Sequence, residues 1–237
     1  MITTDQCLGE EVVQVKIGTL SVKQAIGNPT RQDFPLLEGK EVMVEAEFQG
    51  SFGQAFTDRP HDFTGSLNEI LKLDLDTNEH RAIFIATLNA VMAHLGMVTG
   101  VRHCHDEEPE ECAAQIAHHI LSKFGLVNVG LVGLQPAILE NLVLTFGADK
   151  VICTDLNPKN IGSRKYGAEI RDGRTETGKL IEWSDLLLVT SSTIVNNTFD
   201  DIREKVGSRG KALMIFGVTG AGVSTMLGLE RLCFQAH

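Results

Sequence analysis

The sequence is short of what would export it, carry it through a membrane or staple it. Its opening, Met1-Ile2-Thr3-Thr4-Asp5, has no basic region and no long apolar core, so no export signal is expected. The most apolar long stretch, Ala82 to Val98, is interrupted by Thr87, Asn89 and His94 and flanked by Glu79 and Arg81. It falls below the roughly 20 apolar residues of a membrane span and reads as a buried helix. The five cysteines (Cys7, Cys104, Cys112, Cys153, Cys233) are odd in number and form no CxxC pair. That pattern suggests reduced thiols in the cytoplasm instead of a disulfide framework. Basic residues are also scarce: 21 Lys and Arg stand against 31 Asp and Glu, a net charge of -10. Nucleic acid and anionic membrane surfaces reward Lys and Arg, so neither partner is expected, whereas cations are compatible. The chain has no internal repeat and no low-complexity tract.

What remains is an ordinary globular composition, 43% apolar and 22% charged over 237 residues. Two kinds of hydrophobic pattern divide it. In the first part Val13, Val15 and Ile17 alternate with polar residues, Leu20 to Ile26 reads as a return strand, and Val42, Val44, Ala46 and Phe48 alternate again. Such period-2 runs suit an antiparallel sheet with one wet face. Gln49 to Gly65 reads as a loop or irregular edge, and Thr77 or Asn78 caps a helix to about Leu95. A second helix starts near Pro109. After it, Val127 to Val132, Val151 to Thr154, Leu186 to Thr190 and Ala212 to Phe216 are unalternated apolar runs. Strands buried on both faces read this way, and helical segments lie between them. The expected fold is α/β: an N-terminal α+β domain (1–105) and a C-terminal Rossmann-like, doubly wound parallel sheet (106–237).

In an open parallel sheet, ligands bind beyond the carboxyl ends of the strands. Four loops there hold candidates. Gly133 lies in the first turn, Gly130-Leu131-Val132-Gly133-Leu134-Gln135-Pro136, which lacks GxGxxG spacing. Asp155 follows the next strand, where a dinucleotide fold holds a ribose, although it also suits a turn with Asn157-Pro158. Thr190-Ser191-Ser192-Thr193-Ile194-Val195-Asn196-Asn197-Thr198 holds more hydroxyls and amides than one helix cap needs, so Thr190, Ser192, Thr193 and Asn196 are candidates. Gly217 and Thr219 belong to Gly217-Val218-Thr219-Gly220-Ala221-Gly222-Val223-Ser224, a P-loop look-alike with Val223 in place of the Lys. Neither NAD nor ATP is expected.

Outside the sheet, Arg102-His103-Cys104-His105-Asp106-Glu107-Glu108 carries metal-ligand chemistry, although a polar linker would read the same. On an extended segment His103 and His105 point to one side, so they are the candidate ligands, and their imidazoles favour Zn(II), Co(II) or Ni(II). On the helix from about 79, Ala82, Ala86, Asn89, Ala90 and Ala93 make a narrow face that admits a backbone or a ligand. Asn89 is expected to face the second domain.

Ser184-Asp185 with the strand Leu186 to Thr190 and Val195-Asn196-Asn197-Thr198 resembles the aspartate, apolar strand, hydroxyl-rich turn and "VNxT" segment of the DUF364 family. Val129-Gly130-Leu131-Val132-Gly133 resembles its first strand and turn. Arg81-Ala82-Ile83 and Ala86-Thr87-Leu88-Asn89-Ala90 resemble the helix of the DUF4213 domain that precedes it. The last loop departs from the pattern, with Gly220 and Gly222 where relatives often carry Pro. The resemblance implies an enolase N-terminal-like first domain and heavy-metal chelation. The expected function is handling of a transition metal or metal-bearing small molecule in the cleft between the domains. The alternatives are an enzyme using a nucleotide-like cofactor at the sheet edge, and a non-catalytic small-molecule sensor. No nucleophile-base-orienter triad is legible, so no reaction is assigned, and homo-oligomerisation stays open.

Overall fold

The computed structural model describes residues 14–38 and 41–237. Val13 and Cys7 lie outside the described residues. The first sheet has four strands, β1 (Gln14–Leu20), β2 (Val42–Phe48), β3 (Ser51–Thr57) and β4 (Phe63–Ser66), in the order β3-β2-β1-β4. All three pairings are antiparallel. Between β1 and β2 lie two short helices, α1 (Val22–Ile26) and α2 (Pro35–Glu38). The segment expected as a return strand is therefore helix α1. The cause is Ser21: its hydroxyl accepts from the Gln24 amide, and the Gln24 side chain accepts from the Ser21 amide. That capping box outweighs the strand-like composition.

The segment expected as a loop, Gln49 to Gly65, holds β3 and β4. A two-residue turn at Gln49-Gly50 joins β2 to β3 in a tight hairpin. β3 looks weak in sequence because Gly53 interrupts it, yet the fold requires that glycine. A Cβ there would lie 2.2 Å from the Ala90 amide nitrogen of the helix above. That helix is α4 (Asn78–His94), capped by Thr77 and preceded by the short α3 (Leu67–Ile70). Its small face of Ala82, Ala86 and Ala90 is buried, and the backbone it admits is that of β3.

The second sheet has seven strands: β5 (Val129–Val132), β6 (Val151–Asp155), β7 (Arg164–Lys165), β8 (Ala168–Asp172), β9 (Leu186–Thr190), β10 (Ala212–Phe216) and β11 (Arg231–Leu232). The order is β11-β10-β9-β5-β6-β8-β7, parallel except for β7 against β8. The Gly- and charge-rich stretch Asn157 to Thr177 after β6 holds β7, β8 and the start of the next helix, none of which its composition announced. α5 (Glu108–Phe124) and α6 (Pro136–Phe146) pack on one face. α7 (Gly173–Trp183) and α9 (Phe199–Gly207) cover the other. The short helices α8 (Ser192–Val195) and α10 (Ala221–Leu227) follow β9 and β10. β5 and β9 are neighbours, and the chain winds away from them in both directions. The switch point of the sheet lies there, and its loops begin at Gly133 and Thr190.

The two sheets share their cores. Ala25, Ile26, Phe34 and Met43 join α5, α6 and the inner strands in one cluster. Val195 joins α4 and the antiparallel sheet in another. No helix among the described residues is long and apolar enough to cross a membrane.

Candidate functional site

At the switch point the backbone of Gly133 touches Thr190. A Cβ on Gly133 would come within 2.4 Å of Thr190 Cγ2, so only glycine lets the two loops meet. Asp155, at the end of β6, reaches back over this turn. Its Oδ2 accepts from the Leu134 amide at 2.8 Å, and its Oδ1 from the Asn157 amide at 2.7 Å and Asn160 Nδ2 at 3.3 Å. The turn that would cradle an anion is thus closed by the protein's own carboxylate. In the hydroxyl-rich loop the Thr190 hydroxyl donates to Ser192 Oγ (3.3 Å), and that of Thr193 donates to the Thr190 carbonyl (2.6 Å).

The first sheet brings two further acids to the same edge. Val42 pairs with Thr57, so Glu41, just before β2, and Asp58, just after β3, sit side by side. Burial, and the negative charges of Asp155 and then Asp58, push the Glu41 carboxyl above its ordinary range. Asp58 accepts from Asn78 Nδ2 at 2.8 Å, and that nitrogen also lies 3.4 Å from Asn196 Oδ1. Arg81 holds this corner: it donates to Asn78 Oδ1 and to the Val195 carbonyl, both at 2.5 Å. Glu41, Asp58 and Asn78 escaped the sequence reading because their neighbourhood depends on β3. Once β3 is placed, the hairpin register alone pairs Glu41 with Asp58.

Other expected ligand residues join the two sheets. Asn89 is fully buried, and its Nδ2 donates to the Gln54 carbonyl (2.9 Å) and to the carbonyls of Val218 and Thr219 (3.2 Å each). Its Oδ1 accepts from the Gly222 amide at 2.8 Å. Thr219, also fully buried, accepts from the Phe56 amide at 3.0 Å. Gly217 turns the chain from β10 into this joint, against Ser191. In the P-loop look-alike, an amide that would face a phosphate faces the Asn89 side chain.

The two histidines part company. His103 stacks edge-on to Phe56, with centroids 5.6 Å apart, and its Nδ1 lies 2.6 Å from the Cys104 carbonyl. Burial drives its pKa down to about 4. His105 lies beside His237, with ring centroids 6.4 Å apart. Among the described residues, no three His, Cys, Asp or Glu side chains converge to hold a metal ion. Two surface hollows lie away from the switch point, one at the β7–β8 edge and one against α5.

An antiparallel sheet under a helix, joined to a mostly parallel sheet with acids from both at one edge, defines a mixed α/β protein. Residues 117–227 match the family model DUF364, described as "Putative heavy-metal chelation". No curated protein matches the chain. Two solved structures of DUF364-family proteins of unknown function are similar. The one from Pyrococcus horikoshii is 16% identical, covering 87% of this chain and 73% of its own, with a TM-score of 0.50. The one from Desulfitobacterium hafniense DCB-2 is 13% identical, covering 79% and 72%, with a TM-score of 0.50. At these identities the likeness is one of fold.

Proposed function

We propose that this protein handles a cationic metal complex in the cleft where Glu41, Asp58 and Asp155 meet the loop of Thr190, Ser192 and Asn196. The observation that carries the reading is Glu41. Burial first, and then the negative charges of Asp155 and Asp58, disfavour its charged form, and a cation entering here would relieve the part that is repulsion. The overall charge of -10 attracts such a ligand at long range.

The donor set argues for a complex over a bare heavy-metal ion. The side chains at this edge offer oxygen, which suits hard ions, whereas Zn(II), Co(II) and Ni(II) prefer nitrogen or sulfur ligands. A small molecule that brings its own soft ligands, with net positive charge, matches the cleft. A nucleotide does not: Asp155 and the Asn89 amide already take up amides of the two turns that resemble phosphate cradles.

The test is equilibrium dialysis with elemental analysis. The probes are Ni(II), Co(II) and Zn(II), each free and as a cationic polyamine complex. Glu41→Gln and Asp58→Asn should each weaken uptake of the complex at least about tenfold, with His103→Ala and His105→Ala unchanged. If only the histidine variants lose binding, and it is the free ion that binds, the cleft reading is wrong and the linker is the site.

A further inference from the structure

Arg81 closes the first turn of α4, its amide donating to the carbonyl of the Thr77 cap. A helix start favours anions, so the guanidinium stands there against the dipole. Its side chain is half-buried, and its three hydrogen-bond partners are all neutral. Nε donates to the Val195 carbonyl and Nη2 to Asn78 Oδ1, both at 2.5 Å, and Nη1 donates to the Leu75 carbonyl. Glu79, in the same turn, faces His61 at 3.6 Å. Among the described residues Arg81 forms no ion pair. A guanidinium has five N–H groups, so one on each Nη is left over.

An amide keeps this charge apart from an acid. Asn78 accepts from Arg81 through Oδ1 and donates to Asp58 Oδ1 through Nδ2, at 2.8 Å. A guanidinium and a carboxylate that are free to meet pair directly and often bidentately. Here one neutral side chain touches both, and they do not pair with each other. On the negative flank stand Asp58, its register neighbour Glu41, and Asp155. On the other flank Val195, whose carbonyl Arg81 holds, ends the short helix α8 that starts at Ser192. Asn196 follows, with Oδ1 3.4 Å from Asn78 Nδ2. The site is therefore bipolar, with carboxylates on one flank and a guanidinium with the hydroxyl-rich loop on the other.

We propose that the chelator in the metal complex carries a carboxylate, as an amino acid does, and that Arg81 holds it while the metal centre faces Glu41, Asp58 and Asp155. This rests on the reading of the site as one for a cationic metal complex, and it names the class of chelator. A carboxylate bound to a metal keeps an outer oxygen, and that oxygen accepts from the spare N–H groups of Arg81. One carboxylate on a divalent ion leaves the complex positive, so the acids still attract it. A chelator made only of amines satisfies the acidic flank and leaves Arg81 without its anion.

The test is equilibrium dialysis of the full chain against two Ni(II) probes, one with a single histidine per metal and one with triethylenetetramine, which has no carboxylate. The wild type should take up the histidine complex at least about tenfold more tightly. Arg81→Met should lose that preference, weakening the histidine complex by about tenfold and leaving the triethylenetetramine complex within about twofold. A merely structural Arg81 would weaken both probes alike. The wild-type preference needs no variant and decides the matter if Arg81→Met does not fold. Equal affinity for the two probes in the wild type, or equal losses in Arg81→Met, overturns the carboxylate assignment and leaves the cationic-complex reading standing. If Glu41→Gln binds both probes like the wild type, it is the cationic-complex reading that fails. Uptake of neither probe overturns both.

Discussion

Asn89 joins backbone groups of three segments, and no water can replace it in a fully buried joint. Asn89→Leu leaves three carbonyls and one amide short of a partner, at about 1–3 kcal/mol for each group that stays buried. A loss of roughly 3 kcal/mol or more is expected, read as a lower urea midpoint with an unchanged slope. A loss below about 1 kcal/mol would mean that the joint opens to solvent. Gly53→Ala meets backbone instead of a flexible side chain, so β3 and α4 must separate. A cost of about 1–3 kcal/mol is expected from the same measurement. His103 adds a pH dependence. Its folded pKa of about 4 lies below the ordinary 6.5, so the unfolded chain binds the extra proton first. Stability is full above pH 6.5 and falls as pH drops from 6.5 towards 4, by at most about 1.4 kcal/mol per pH unit. Denaturation of His103→Gln across that range should show a shallower decline than the wild type.

Among the secondary elements, the unalternated runs of β5, β6, β9 and β10 and the long periods of α4 and α5 were legible because burial on both faces, or on one helical stripe, is written into the hydrophobic pattern. β3, β4 and β8 were not. Their residues are chosen for what they pack against, as Gly53 is, and the partner is distant in sequence. The acids followed the same rule. Asp155 was visible from its place after a clear strand, but Glu41 and Asp58 become neighbours only through the β2–β3 register. Glu41→Gln should therefore stabilise the ligand-free protein. A raised folded pKa means that the native state holds the proton more tightly, so wild-type stability falls as pH rises above the ordinary glutamate value of 4.5. The variant should match the wild type near pH 4 and melt higher at pH 7. Equal melting temperatures at pH 7 would show that Glu41 is not crowded.

Across the whole molecule, the two sheets are bonded to each other at several points. Asn89, Thr219 and the Arg81 side chain each cross from the first sheet or its helix to loops of the second. The shared core reinforces these crossings, with Ala25, Ile26 and Met43 packed among α5 and α6 residues. On the proposed function, a site between halves fixed in this way does not close around its ligand like a hinged jaw. Uptake should therefore be a one-step encounter, governed by diffusion and long-range attraction, with no slow isomerisation behind it. Stopped-flow traces should be single-exponential, with a rate that rises linearly with ligand concentration and falls with added salt. The radius of gyration from small-angle scattering should be the same for free and saturated protein. A plateau in rate, or compaction on binding, would mean that the joint yields.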